Sequence, residues 1–139
     1  MAYMIKDTSL SRIKFVRNIS KTLKRIKGKN MSKVTNVDES TFTEQVEQST
    51  VPVLVEFGAS WCGPCRRQLP ILESVAETYQ NQLKVVKIDV DDAPQLSSNF
   101  SIKSVPTLMI FNHGQVLHSA SGLANLDVVK SVFLSKVGI

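Results

Sequence analysis

Cysteine is scarce in this chain. There are two among 139 residues, Cys62 and Cys65, too few for the disulfide frameworks that hold small secreted domains together. Histidine is equally rare, with His113 and His118 alone, so a metal site built on imidazoles has almost nothing to draw on. No apolar run approaches the roughly 18 residues of a membrane-spanning helix. The N-terminal region also lacks the unbroken apolar stretch of a secretory signal. Acids are missing from the start of the chain: residues 1–33 hold ten Lys and Arg against one acid, Asp7, a net +9, whereas residues 34–139 carry −4. The overall charge of +5 therefore belongs to the first segment, and the remainder, being acidic, has no footprint for a nucleic-acid partner.

What is present suits one globular domain. The hydrophobic fraction of 42% is ordinary for such a chain, and the length allows a real core. Residues 1–30 stand apart. Leu10, Ile13, Val16, Ile19, Leu23 and Ile26 recur at spacings of three and four, opposite Arg12, Lys14, Arg17, Lys21, Lys24, Arg25 and Lys27. That pattern predicts a basic amphipathic helix stopped at Gly28. Three readings fit it: an organelle transit peptide, a helix lying on an anionic membrane, or a disordered or non-native extension that the fold does not need. The domain proper is expected over residues 31–139, opening at Met31.

From there strands and helices alternate. Val34–Val37 is a short strand. Phe42 and Val46 begin a short helix, with Asp38, Ser40 or Thr41 to cap it. Val51–Phe57 is nearly all apolar, as in a strand covered on both faces, and Glu56 alone breaks the run. Leu69, Leu72, Val75, Ala76 and Tyr79 mark one face of the next helix, in which Pro70 predicts a kink. Leu83–Val90 is a second buried strand. Asp92 is expected to cap a helix that has Pro94 in its first turn and runs to about Phe100. Thr107–Phe111 and Val116–Ser121 form a hairpin about Asn112-His113-Gly114. Asn125 caps a last helix that shows Leu126, Val129, Val132, Phe133 and Val137 to the sheet. This order predicts an α/β fold, a central mixed β-sheet flanked by helices on both faces.

The two cysteines sit three apart in Trp61-Cys62-Gly63-Pro64-Cys65, where the apolar strand hands over to a helix. The first falls near the helix N-cap and the second one turn further in, so the thiols are within disulfide reach. Unsatisfied N–H groups and the positive end of the helix dipole favour a thiolate there. A structural staple gains little, because the loop it closes is so short. Half of a zinc site is disfavoured, because His113 and His118 lie roughly 50 residues on rather than the usual 12–15 or so. The third reading is a redox dithiol.

The stretch Val53-Leu54-Val55-Glu56-Phe57-Gly58-Ala59-Ser60-Trp61-Cys62-Gly63-Pro64-Cys65-Arg66 resembles the active site of the thioredoxin family. Lys84–Asp91 resembles its following strand and Ser104-Val105-Pro106-Thr107-Leu108 its cis-proline loop, while Gly114 and Gly122 fall where the family keeps glycines. The resemblance spans about Val34 to Val137. It implies a soluble, monomeric protein-disulfide reductase that maintains redox homeostasis with no bound cofactor and no metal, cycling through a reversible Cys62–Cys65 disulfide. Disulfide-containing proteins are the implied substrates. The implied electron donor is a thioredoxin reductase, either flavin-dependent and fed by NADPH or linked to ferredoxin. The cytoplasm is the implied location, or a mitochondrion or plastid if residues 1–30 are a transit peptide.

By the same resemblance Cys62 is the nucleophile, expected to be the more exposed cysteine, and Cys65 resolves the mixed disulfide. Glu56 stands where the family usually has an Asp that takes and gives the proton of the second cysteine, and Lys87 matches the lysine beside that carboxylate. Gly63 and Pro64 tune the site. Trp61 is the substrate-facing platform, the Val105 backbone pairs with the bound substrate strand, and Pro106 is cis against the cysteines. Gly58 departs from the aromatic common at its position. His113 and His118 are surface residues away from the site. Two rivals remain: a thioredoxin-like oxidase or isomerase, and a binding subunit in which the dithiol is incidental.

Overall fold

The apolar run around Leu54 forms the middle of the sheet. In a computed structural model of the chain, residues 32–139 are described, and the expected helix within residues 1–30 lies outside them. Five strands are present: β1, Thr35–Asn36; β2, Val53–Gly58; β3, Lys84–Asp89; β4, Thr107–Asn112; and β5, Gln115–Ser121. All six residues of β2 are buried. The sheet order is β1-β3-β2-β4-β5. β3 pairs parallel with both β1 and β2, whereas β2–β4 and β4–β5 are antiparallel. The sheet is therefore mixed, as predicted.

The helical segments are α1, Thr43–Glu47, wound as a wide turn; α2, Gly63–Thr78; α3, Pro94–Asn99; and α4, which runs as three successive stretches, Leu126–Val128, Val129–Phe133 and Leu134–Val137. Successive strand residues point to opposite faces, so the sheet carries two cores. Leu54, Val85, Leu108 and Ile110 face α2 and α4, meeting Leu72, Val75, Val129 and Phe133. Val53, Val55, Phe57, Val86 and Phe111 face α1 and α3, meeting Phe42, Val46 and Leu96. On that second face Phe42, Phe57, Phe100 and Phe111 stack edge-on or tilted, with centroids 5.5–5.9 Å apart, an arrangement favoured by the ring quadrupoles. Helices cover both faces.

Several local expectations hold. Asn125 Oδ1 accepts from Val128 N at 2.9 Å and caps α4. The β4–β5 turn places His113 and Gly114 at φ 50° and 77°, the doubly left-handed geometry that matches strand twist in a tight hairpin. The expected helix after the cysteines is present as α2, with Pro70 inside its continuous span Gly63–Thr78.

Others are corrected. The expected side-chain cap of α1 is not formed: its N-cap is Phe42, with no side-chain cap, and Asp38 Oδ1 instead accepts from Ser40 and Thr41 in the turn ahead of it, bonds that, Ser40's first, hold its carboxyl below the usual range. Asp92 does not cap α3. The N-cap position is Ala93, which offers no side-chain acceptor, and the free N–H groups of Gln95 and Leu96 donate instead to Glu39 Oε1 at 2.5 and 3.4 Å. A carboxylate far away in sequence satisfies them because the loop before α1 folds over the start of α3. His118 is half-buried rather than a plain surface residue, its ring edge-on to Phe133 at 5.0 Å. Gln68, polar in sequence, is fully buried in α2. Its amide donates to Ala124 O and accepts from Ala124 N, both at 2.8 Å, which locks the loop before α4 against α2.

Candidate active site

The handover from β2 to α2 builds the site. Strand periodicity puts Leu54, Glu56 and Gly58 on the α2 side of the sheet. The chain then turns through Ala59-Ser60-Trp61, and Cys62 becomes the N-cap of α2, with φ −89° and ψ 113°. Its Sγ accepts a hydrogen bond from Cys65 N at 3.1 Å. A sulfur so placed meets the unsatisfied amides of the first turn and the positive end of the dipole, both of which lower a thiol pKa. Pro64 lies in that turn, where a missing N–H costs nothing. Gly63 borders open space.

Cys62 and Cys65 are joined as a disulfide, with Cα atoms 5.3 Å apart. Both are buried, at 4% and 6% exposure. The expectation that Cys62 is the more exposed is therefore not met in the oxidised state, for two reasons. Val105 packs over the pair, its carbonyl oxygen 3.8 Å from Cys62 Sγ. On the other side, Cys65 borders a cleft of about 580 Å³ that Gly58 also lines.

That cleft is lined by Glu56, Gly58, Cys65, Arg66 and Lys87, among others. Glu56 is 4% exposed, and among the described residues no side chain hydrogen-bonds or ion-pairs with its carboxyl. Burial raises its pKa to about 7, with the Lys87 charge pulling the other way. Lys87 is directly opposite in the parallel register of β3 and half-buried. It acts through the field rather than by contact. A carboxyl that titrates near neutrality beside a thiol is equipped to exchange protons with it.

Trp61 is 67% exposed, and its indole N–H donates to Asp91 Oδ2 at 2.8 Å, which fixes the ring as a surface plate. Arg66 donates to Ser60 O at 3.0 Å and braces the loop below it. Across the disulfide, the Val105–Pro106 peptide bond is cis. Pro106 is buried and its carbonyl accepts from Gly122 N at 2.8 Å. The structure thus gathers Glu56, Trp61, Cys62, Gly63, Pro64, Cys65, Lys87, Val105 and Pro106 around one disulfide, with His113 and His118 in or beside the distant β4–β5 turn. Asp91 was missed by sequence reasoning, because nothing in Asp89-Val90-Asp91-Asp92 distinguishes the acid that reaches the indole. Among the described residues no cluster of His, Cys, Asp and Glu is arranged to hold a metal ion, and no helix is long and apolar enough to cross a membrane.

Comparison with known proteins bears on this geometry. The Thioredoxin family model matches residues 33–134. Thioredoxin 1 of Nostoc sp. is 47% identical over 92 residues, covering 66% of this chain and 86% of that protein. The thioredoxin of Porphyra purpurea is 40% identical over 98 residues, 70% of this chain and 92% of that protein. The thioredoxin of Rickettsia prowazekii is 39% identical over 90 residues, 65% and 86% of the two chains.

Proposed function

This chain belongs to the thioredoxin family and reduces protein disulfides through Cys62 and Cys65, and from that premise we propose the following division of roles. Cys62, as thiolate, attacks one sulfur of a substrate disulfide. A Cys62–substrate S–S bond forms, the substrate S–S bond breaks, and one substrate sulfur leaves as thiolate. Glu56 accepts the Cys65 proton. The Cys65 thiolate attacks Cys62 Sγ, the Cys62–Cys65 bond forms, and the second substrate sulfur departs. The substrate gains two electrons and the dithiol loses two, ending in the disulfide described above. The observation that carries this assignment is Cys62 Sγ at the N-cap of α2, accepting from Cys65 N.

Lys87 holds the Glu56 carboxyl within range of neutrality. Gly63 and Pro64 set the tight first turn between the sulfurs. Trp61 and the Val105 backbone receive the substrate, the ring by apolar contact and the strand by β-augmentation, and Pro106 packs against the disulfide. The family acts on disulfide substrates and is returned to the dithiol by a thioredoxin reductase. Here the donor is either a flavin enzyme fed by NADPH or a ferredoxin-linked one, and the chain works as a monomer with no bound cofactor. A reducing compartment suits the cycle: the cytoplasm, or a mitochondrion or plastid with residues 1–30 as a transit segment. The same residues are an alternative membrane contact.

The test is Cys65→Ser. With no resolving thiol, the variant accumulates a mixed disulfide on Cys62, seen as an added mass that dithiothreitol removes. Attachment at residue 65 in the reciprocal Cys62→Ser variant, with none at residue 62 in the first, would reverse the roles.

A further inference from the structure

Gly58 is the last residue of β2, paired with Asp89 of β3, and offers no side chain to pack. Its backbone does not require a glycine: the left-handed glycines of the described residues are Gly114, Gly122 and Gly138. Space is what it supplies. A Cβ at residue 58 would overlap Glu56 Oε1 and stand 3.3 Å from Cys65 Sγ and 3.5 Å from Cys65 Cβ. The carboxyl oxygen and the resolving sulfur therefore border the same small volume, the one a side chain at 58 would fill.

The strand explains why. Residues 54, 56 and 58 share a face. Toward Leu54 the face is closed, since Leu54 is fully buried in the core with Leu72 and Val75. Toward Gly58 it opens on the cleft. The Glu56 side chain, one methylene longer than Asp, lies toward residue 58, its Oε1 where a Cβ there would stand.

We propose that Gly58 is a positioning residue for Glu56: its missing side chain is the seat of the Glu56 carboxyl, which places that group beside Cys65. Glu56 and Gly58 form one matched pair. The proposal rests on Glu56 being the proton acceptor for Cys65, and it adds that this role depends on residue 58.

The experiment is single-turnover reduction of insulin disulfides by the full chain, followed through Trp61 fluorescence from pH 5.5 to 9. The variants are Glu56→Gln, Glu56→Asp, Gly58→Ala and the Glu56→Asp, Gly58→Ala double. Displacing a proton acceptor by about an ångström costs on the order of ten- to a hundredfold, so Gly58→Ala is expected to slow the pH 7 rate at least about tenfold. Its pH midpoint should fall, because the displaced carboxyl moves toward the open cleft and Lys87. An aspartate side chain is too short to reach the seat, so adding Gly58→Ala to Glu56→Asp should cost less than about twofold relative to Glu56→Asp alone. That rescue is something a merely structural lesion would not show. Equal losses from Gly58→Ala in the wild-type and in the Glu56→Asp background would overturn the pairing, as would a wild-type rate and midpoint in Gly58→Ala. If Glu56→Gln is impaired while those losses are equal, the positioning role alone falls. If Glu56→Gln keeps the wild-type rate and profile, the proton-acceptor reading falls and the positioning role with it.

Discussion

Replacing Glu56 by Gln should make the oxidised protein more stable, and the gain should depend on pH in a defined way. Glu56 is buried, and burial holds its carboxyl at about 7 in the fold against an ordinary value of 4.5. Below pH 4.5 the group is neutral in both folded and unfolded chains and costs nothing. Between 4.5 and 7 the unfolded chain ionises while the fold keeps its proton. The folded state then binds more protons, and stability falls as pH rises. About one pH unit above 7 both states are ionised and the loss is complete. The gap between the two values corresponds to about 3 kcal/mol, at roughly 1.4 kcal/mol per pH unit.

Urea unfolding of the oxidised proteins reads this directly, because the cysteines do not titrate while bonded. The variant-minus-wild-type difference should be flat below about pH 4.5, grow by about 3 kcal/mol, and level off above about pH 8. With a slope of about 1.5 kcal/mol per molar urea, the midpoints separate by about 2 M at pH 8. Taking the difference cancels every other titrating group, including those of residues 1–30. Parallel curves across that range would refute the reasoning, since they would mean the carboxyl titrates normally and the site holds no poised base.

Two further outcomes are expected. Gln68→Ala removes both amide bonds to Ala124 and leaves a buried N–H and C=O unpaired, which should cost about 2–4 kcal/mol in urea unfolding; a loss under about 0.5 kcal/mol would show that the loop before α4 finds other partners. Titration in dithiothreitol buffers, followed by Trp61 fluorescence, should give a Cys62–Cys65 potential of about −270 mV, that of a general reductant, whereas a value above about −200 mV would move the site into the isomerase and oxidase range.

Much of this was readable in the sequence, for identifiable reasons. β2 is legible because a strand covered on both faces must be apolar throughout, and Glu56 is conspicuous because it violates that rule. The N-cap position of Cys62 follows from the strand giving way to helical periodicity at one point. The features that were not legible depend on long-range closure. Glu39 caps α3 across 56 residues, and Gln68 reaches Ala124 across the same separation. Neither pairing leaves a local pattern, because capping and turn signals describe only the residues next to the helix they serve. Asp92 was the local candidate for α3, and a distant acid took its place. The exposure of the cysteines was misjudged for a related reason: it is set by Val105 on one side and by the absence of a side chain at Gly58 on the other, and only the folded chain brings these together.

Under the proposed pairing, the absence of a side chain at Gly58 gains a role in space. Read alone, it is a lost aromatic, a gap in packing beside the dithiol. Read alone, Glu56 is an acid one methylene too long for its place. In the fold the two meet: Glu56 Oε1 lies where a side chain at residue 58 would stand, a point 3.3 Å from Cys65 Sγ, which is the basis of the proposed pairing. Cys65, Glu56, Lys87 and Arg66 line the same cleft as Gly58, although the carboxyl and the sulfur are themselves buried. A side chain at residue 58 would occupy the place where Glu56 Oε1 lies. Proton transfer in this chain should therefore be more sensitive to bulk at residue 58 than to bulk at residue 63, where an added Cβ meets nothing within 4 Å.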